Sequence, residues 1–213
     1  MNITFIAPPA AGKGALSNMI YEKYGYPHVS IGDLLRNVED EKIKKELEAG
    51  AFVNNEIVAK LLYNRLSKDD CKNGFILDGF PRSLEQAEAL NGIFERTGKF
   101  NLKNDAMAIY FDIDNEVLIQ RLINRRSCPK CGTIYNLISN PPKIIDYCDI
   151  CDSKLTIRKD DNEETARARF ETYEKETAPL YDYFKQQGIL KEIDAQGSIS
   201  EIWEKVKQVV FEQ

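Results

Sequence analysis

Short apolar runs alternate with helical stretches along the chain, and this alternation limits the fold more than any other feature. Asn2-Ile-Thr-Phe-Ile6, Phe75-Ile-Leu77, Ala106-Met-Ala-Ile-Tyr-Phe111 and Ile189-Leu-Lys-Glu-Ile193 read as strands. Helical stretches are expected from about Gly12 to Lys23, Ser83 to Arg96, Asn115 to Arg126, and after Ser198. Strands separated by helices imply βαβ units and a mostly parallel sheet. Ser83-Leu-Glu-Gln86 and Ser198-Ile-Ser-Glu201 have the form of capping boxes opening two of those helices. Ser30 to Val58 and Arg126 to Arg158 break the alternation and read as insertions into one core.

Composition narrows the class. The 213 residues are 43% hydrophobic with a net charge of -5, enough apolar material for one core and no basic balance for nucleic acid. No apolar run approaches the roughly 20 residues of a membrane helix, and the N-terminus lacks a signal-peptide pattern, so a cytoplasmic protein is expected. One histidine, His28, leaves little material for a catalytic triad and reads as structural.

Two features carry chemistry. Residues 7–14, Ala-Pro-Pro-Ala-Ala-Gly-Lys-Gly, lie between the first strand and first helix, where helix-start N–H groups and a lysine can hold phosphate. Of the glycine-rich phosphate-loop template only Gly12 and Lys13 are met. Asp78-Gly-Phe-Pro-Arg82 follows a strand and so sits where α/β sheets bind ligands. Separately, Cys128, Cys131, Cys148 and Cys151 form a C-x2-C-x16-C-x2-C pattern. Four thiolates at that spacing suit a closed, structural Zn2+ site, with iron as the alternative. Cys71 stands apart as an incidental thiol.

The phosphate loop, His28-Val-Ser-Ile-Gly-Asp33 with Arg36, Leu77-Asp-Gly-Phe-Pro-Arg82 with Gln86, Arg121 to Arg126, and Arg158 through Arg169 stand in the order found in adenylate kinases. The resemblance spans essentially the whole chain. It implies an α/β P-loop three-layer fold, with a parallel-sheet core over 1–29, 59–125 and 159–213. A monophosphate-binding insertion at 30–58 and a zinc-binding lid at 126–158 complete it.

The same resemblance implies Mg-dependent phosphoryl transfer between ATP and AMP by a monomer, without nucleic-acid or membrane partners. It assigns ATP to Ala10, Ala11, Gly12, Lys13, Gly14, Ala15, Arg121 and Arg125. It assigns AMP to Ile31, Arg36, Val53, Gly79, Arg82, Gln86, Arg158 and Arg169. Lys13, Asp78, Arg82, Arg125, Arg158 and Arg169 form the catalytic set, Asp78 through Mg2+ and its waters, while Asp160 and Asp161 fasten the lid.

The chain departs from the family at Ala7 and Ala10, where glycine is usual, at Ala15, where Thr or Ser is usual, and at Ile31, where Thr or Ser is common. If position 10 requires a positive φ, alanine there costs roughly 1 kcal/mol. These departures leave a second reading open, a nucleotide-binding protein that is weakly active or inactive. A third, from the cysteines alone, is a zinc-ribbon nucleic-acid binder.

Overall fold

A computed structural model describes residues 1–48, 53–97, 105–158 and 161–212. Strands β1 (Asn2–Ile6), β2 (His28–Ser30), β3 (Phe75–Asp78), β4 (Ala106–Asp112) and β7 (Leu190–Asp194) form a parallel sheet in the order β2-β3-β1-β4-β7. The three-residue strand β2 is not among the runs recognised in the sequence, because His28-Val-Ser30 offers one apolar residue and is too short to show a period.

The buried strands separate their two faces by the period of two. Ile3, Phe5, Ile109 and Phe111 pack with residues of α1 (Lys13–Tyr24), α6 (Asn115–Ile123) and α9 (Ile199–Val210). Ile6 and Ala108 point the other way, to Ala87 of α5 (Leu84–Thr97) and to Leu180 and Phe184 of α8 (Leu180–Gln186). Phe5 and Phe111 meet edge-on with ring centroids 5.2 Å apart. Full burial of each such side chain contributes about 1.5–3 kcal/mol.

Between β2 and β3 the chain folds as α2 (Ile31–Arg36), α3 (Glu41–Glu48) and α4 (Asn55–Leu66). α4 continues the helical excursion past Val58. Its core of Val29, Ile31, Leu35, Val58, Leu62 and Phe75 is shared with the sheet. The helix expected to run from Asn115 to Arg126 ends at Ile123 instead. The C-cap Asn124 turns the chain, so Arg125 and Arg126 start β5 (Arg125–Ser127), which pairs antiparallel with β6 (Ile134–Asn136). α7 (Glu163–Thr172) runs into a π-helical turn, Tyr173–Thr177. Ser198 and Glu201 form the full capping box expected at α9. Ser83 makes only its half: it accepts from the Gln86 N–H at 3.3 Å, while the Gln86 side chain turns to the Arg82 N–H. Among the described residues no helix is long and apolar enough to cross a membrane.

Candidate active site

The carboxyl ends of β2, β3 and β1 lie side by side, with Ser30 paired to Asp78 and Asp78 to Phe5. The chain leaves β3 and crosses beyond β1 to reach β4, so the sheet order reverses around β1. That is where open α/β sheets bind ligands. A cleft of about 250 Å³ opens there. Lys13, Arg36, Arg82, Arg125, Arg158 and Arg169, distant in sequence, all line it.

The loop after β1 is shaped to leave donors free. Gly12 caps α1 with φ 90°, and no side chain caps the helix. A Cβ at Gly12 would come within 3.2 Å of Ile199, in a conformation L residues rarely adopt. The first N–H groups of α1 therefore remain for an anion. Lys13 Nζ donates to the carbonyls of Ala7 (3.0 Å) and Pro8 (2.7 Å). Burial lowers its pKa to about 8; the Asp78 charge opposes this, while Arg82, Arg169 and Arg125 add to it. Ala10 has φ 63°, so the expected strain is present there. Ala7 is not among the positive-φ residues; it is buried in the core and needs no glycine. Gly14 faces Ile134 of β6, 3.8 Å from where its Cβ would be, so the 126–158 segment reaches over the loop. Ala11 is buried, and Ala15 lies on the cleft wall.

Asp78 lies at the cleft floor, 3.2 Å from His28 Nε2. Burial alone would raise its pKa, but the His28 hydrogen bond and the charges of Lys13, His28 and Arg82 outweigh that and hold it below the usual carboxylate value. His28 thus belongs to the cleft, a role that its β2 pairing beside β3 reveals and its lone position in the sequence did not.

The turn after Asp78 is firmly held. Thr4 Oγ1 donates to the Phe80 carbonyl (2.8 Å), Thr177 Oγ1 to that of Arg82 (2.8 Å), and Arg82 Nε to that of Gly79 (2.9 Å). Gly79 has φ 82°, and a Cβ there would lie 2.9 Å from the Arg82 guanidinium. Arg36 pairs with Asp33, one turn before it on α2. Arg121 Nη2 donates to the carbonyls of Ala195, Gln196 and Gly197, which pins its guanidinium beside the loop before α9. Arg158 Nε donates to Ser127 Oγ at 3.0 Å. Arg125 forms a two-pronged pair with the buried Asp161. Asp160 lies outside the described residues.

Ile31, Val53, Gly79 and Gln86 are absent from this main cleft. They line a smaller one, about 30 Å³, that shares Gly32 and Arg82 with it. The two clefts adjoin, so these four residues lie next to Arg36 and Arg82 without sharing one cavity with Arg36.

The four predicted cysteine ligands converge, their Sγ atoms all within 4.8 Å of one another. Tetrahedral Zn–S bonds of about 2.3 Å place sulfurs about 3.8 Å apart, so the donor set fits that ion. The sulfur separations of 3.4 Å (Cys128–Cys151) and 3.5 Å (Cys131–Cys148) are far beyond a disulfide bond of about 2.05 Å. Around the sulfurs the segment buries Tyr135 and Leu155, and elsewhere Pro142. Among the described residues this is the one group of three or more His, Cys, Asp or Glu side chains close enough to hold a metal. Asp78 offers Mg2+ a single ionised carboxylate, which suits an ion that keeps most of its waters and binds chiefly through substrate phosphates.

Residues 5–189 match the sequence profile of the family described as Adenylate kinase. Curated relatives bearing that name include one from Thermotoga neapolitana, 43% identical over 215 residues, covering 98% of this chain and 96% of the relative. Another, from Clostridium kluyveri, is 39% identical over 216 residues, covering 99% and 98%. A third, from Fervidobacterium nodosum, is 41% identical over 208 residues, covering 95% and 94%.

Proposed function

The chain belongs to the adenylate kinase family, and we propose that its cleft carries out reversible transfer of a phosphoryl group from MgATP to AMP, giving two ADP. The convergence of Lys13 and five arginines on one cleft at the strand ends carries this reading. A transferring phosphoryl group needs alignment and compensation of spread negative charge, which fixed guanidiniums supply.

ATP lies with its phosphates on the loop from Ala10 to Ala15, held by the open start of α1 and by Lys13. Its adenine lies against the pinned Arg121, with Ile199 and Ile202 also lining that cleft. AMP lies with its phosphate between Arg36 and Arg82 and its base in the smaller cleft of Ile31, Val53, Gly79 and Gln86. An AMP phosphate oxygen attacks the γ-phosphorus of ATP as the bond from that phosphorus to the bridging oxygen breaks. ADP leaves from one side and the new ADP forms on the other, without a phosphoenzyme. Arg82, Arg125, Arg158 and Arg169 balance the charge of the moving group. Mg2+, when bound, neutralises phosphate charge, and Asp78 orients waters around it.

Residues 30–58 act as the monophosphate-binding domain and 126–158 as a zinc-stiffened lid over the triphosphate. Closure of such a lid is a known property of the family, and it favours transfer to AMP over transfer to water. The reading as an inactive nucleotide binder is not favoured: of the loop alanines, Ala7 takes no glycine conformation and Ala10 accepts a modest strain. We assign the protein to the cytoplasm as a monomer without nucleic-acid or membrane partners. A coupled assay with AMP, GMP, UMP and CMP, with and without Mg2+, tests the activity. AMP-dependent, Mg-dependent ATP consumption is expected; its absence with every monophosphate rejects the proposal.

A further inference from the structure

Gln86 sits in the first turn of α5, 4% exposed, facing the small cleft between α2, α4 and the Gly79–Arg82 turn. Its amide has its orientation chosen for it. The Arg82 main-chain N–H can only donate, and it meets Gln86 Oε1 at 2.8 Å. The amide nitrogen must then lie on the other side, where Nε2 donates to Asn55 Oδ1 at 2.7 Å. Flipping Gln86 would set donor against donor at Arg82 and abandon the Asn55 acceptor.

One amide N–H and one carbonyl lone pair remain for a ligand. A locked amide therefore shows an incoming base one fixed order of acceptor and donor, whereas a loosely held amide shows both. That order distinguishes the purines. Adenine carries a donor on C6 and an acceptor at N1; guanine carries an acceptor on C6 and a donor at N1. Ile31, Val53 and Val58, which also line the cleft, have no polar side-chain atom that could substitute for this readout.

Asn55 is not needed to hold its own helix. The cap of α4 is Asn54, whose Oδ1 accepts from the N–H groups of Glu56 (2.8 Å) and Ile57 (3.4 Å). Asn55 itself is exposed at the first helical position. We propose that Asn55 is a specificity-positioning residue: by accepting from Gln86 Nε2 it adds a second hold to that of the Arg82 N–H and keeps the amide in the orientation that favours AMP over GMP. This rests on the placement of the AMP base beside Gln86 in the proposed function.

The test compares the AMP:GMP binding ratio, with GMP measured by competition against AMP, in N55L, N55D and Q86L. Leucine keeps the size and removes the acceptor; aspartate keeps the acceptor. Losing one neutral hydrogen bond predicts a ratio reduced roughly three- to tenfold in N55L, with the KM for ATP within about twofold of the parent. N55D retains the parent ratio, and any added charge acts on both monophosphates alike. N55M repeats the measurement should N55L melt early. A collapsed ratio in Q86L with an unchanged one in N55L overturns the lock and leaves Gln86 as the reader. An unchanged ratio in Q86L overturns the placement of the base and the inference with it.

Discussion

Arg125 and Asp161 form a two-pronged ion pair across the base of the lid, with Nε to Oδ2 at 2.8 Å and the Asp161 carboxylate wholly buried. Arg125 begins β5, where the chain enters the lid, and Asp161 lies just before α7, where it returns to the core. The pair ties the two connecting segments together and fixes one of the cleft arginines in the same step. Removing one partner of a buried pair leaves the other charge uncompensated, at about 3 kcal/mol. Asp161→Asn should therefore lower the melting temperature by roughly 6–12 °C and reduce kcat by loosening Arg125. Thermal melts and steady-state kinetics check both; a variant with parental stability and kcat contradicts the role.

The lid depends on its metal because it has little else. With Tyr135 and Leu155 as its chief buried side chains beside the sulfurs, it has no core to fall back on. Chelation, or Cys148→Ser, should cost the lid its protection from hydrogen exchange and lower kcat while leaving the sheet folded. Metal analysis should return one zinc per chain, with no visible absorption. A charge-transfer band in the visible would assign iron instead.

The two loop alanines that replace glycine should respond oppositely to its return. Ala10 has φ 63° and Ala7 is buried without a positive φ. Ala10→Gly relieves about 1 kcal/mol of strain, partly offset by the greater freedom of glycine in the unfolded chain. Ala7→Gly adds that freedom, loses a buried methyl and relieves nothing, so it should destabilise by about 1 kcal/mol. Denaturant titrations decide; the same sign for both variants contradicts the backbone argument.

Lys13 should make ATP capture sensitive to alkali. Its amine in the free protein titrates at about 8, chiefly through burial, against 10.5 ordinarily. As pH rises through about 8 the free enzyme loses that charge, so kcat/KM for ATP should fall. Bound phosphates favour the protonated amine, so kcat should persist to higher pH, and calorimetry near pH 8.5 should detect proton uptake on ATP binding. The unfolded chain binds more protons between those two values, so the ligand-free protein should also gain stability as pH rises between them. A flat kcat/KM profile from pH 7 to 9.5 contradicts the shifted amine.

Much of the fold was readable because βαβ alternation states itself in short apolar runs, and because each cleft arginine belongs to a motif with its own order in the chain. What the sequence withheld was contact between distant segments. β2 is too short to show a period, so its pairing with β3, and with it the His28–Asp78 contact, could not be read. The Ser83–Gln86 spacing suggested a capping box, yet the Arg82 N–H competes for the Gln86 carbonyl and wins. Asn55 carried no signal at all, since an asparagine at a helix start reads as a cap, and here Asn54 already fills that place. Whether Ala7 or Ala10 needed a positive φ was likewise a matter of backbone geometry that residue identity alone leaves open.

The most direct test of the central assignment follows the transferred phosphorus itself. With ATP labelled in the γ-phosphoryl group and unlabelled AMP, the label should appear in the β-phosphoryl group of newly formed ADP. It should require Mg2+, leave no label on the protein, and fall by orders of magnitude in Arg82→Ala and Arg169→Ala. Label released only as inorganic phosphate, or undiminished transfer in both arginine variants, would contradict a cleft built to pass phosphoryl groups from ATP to AMP.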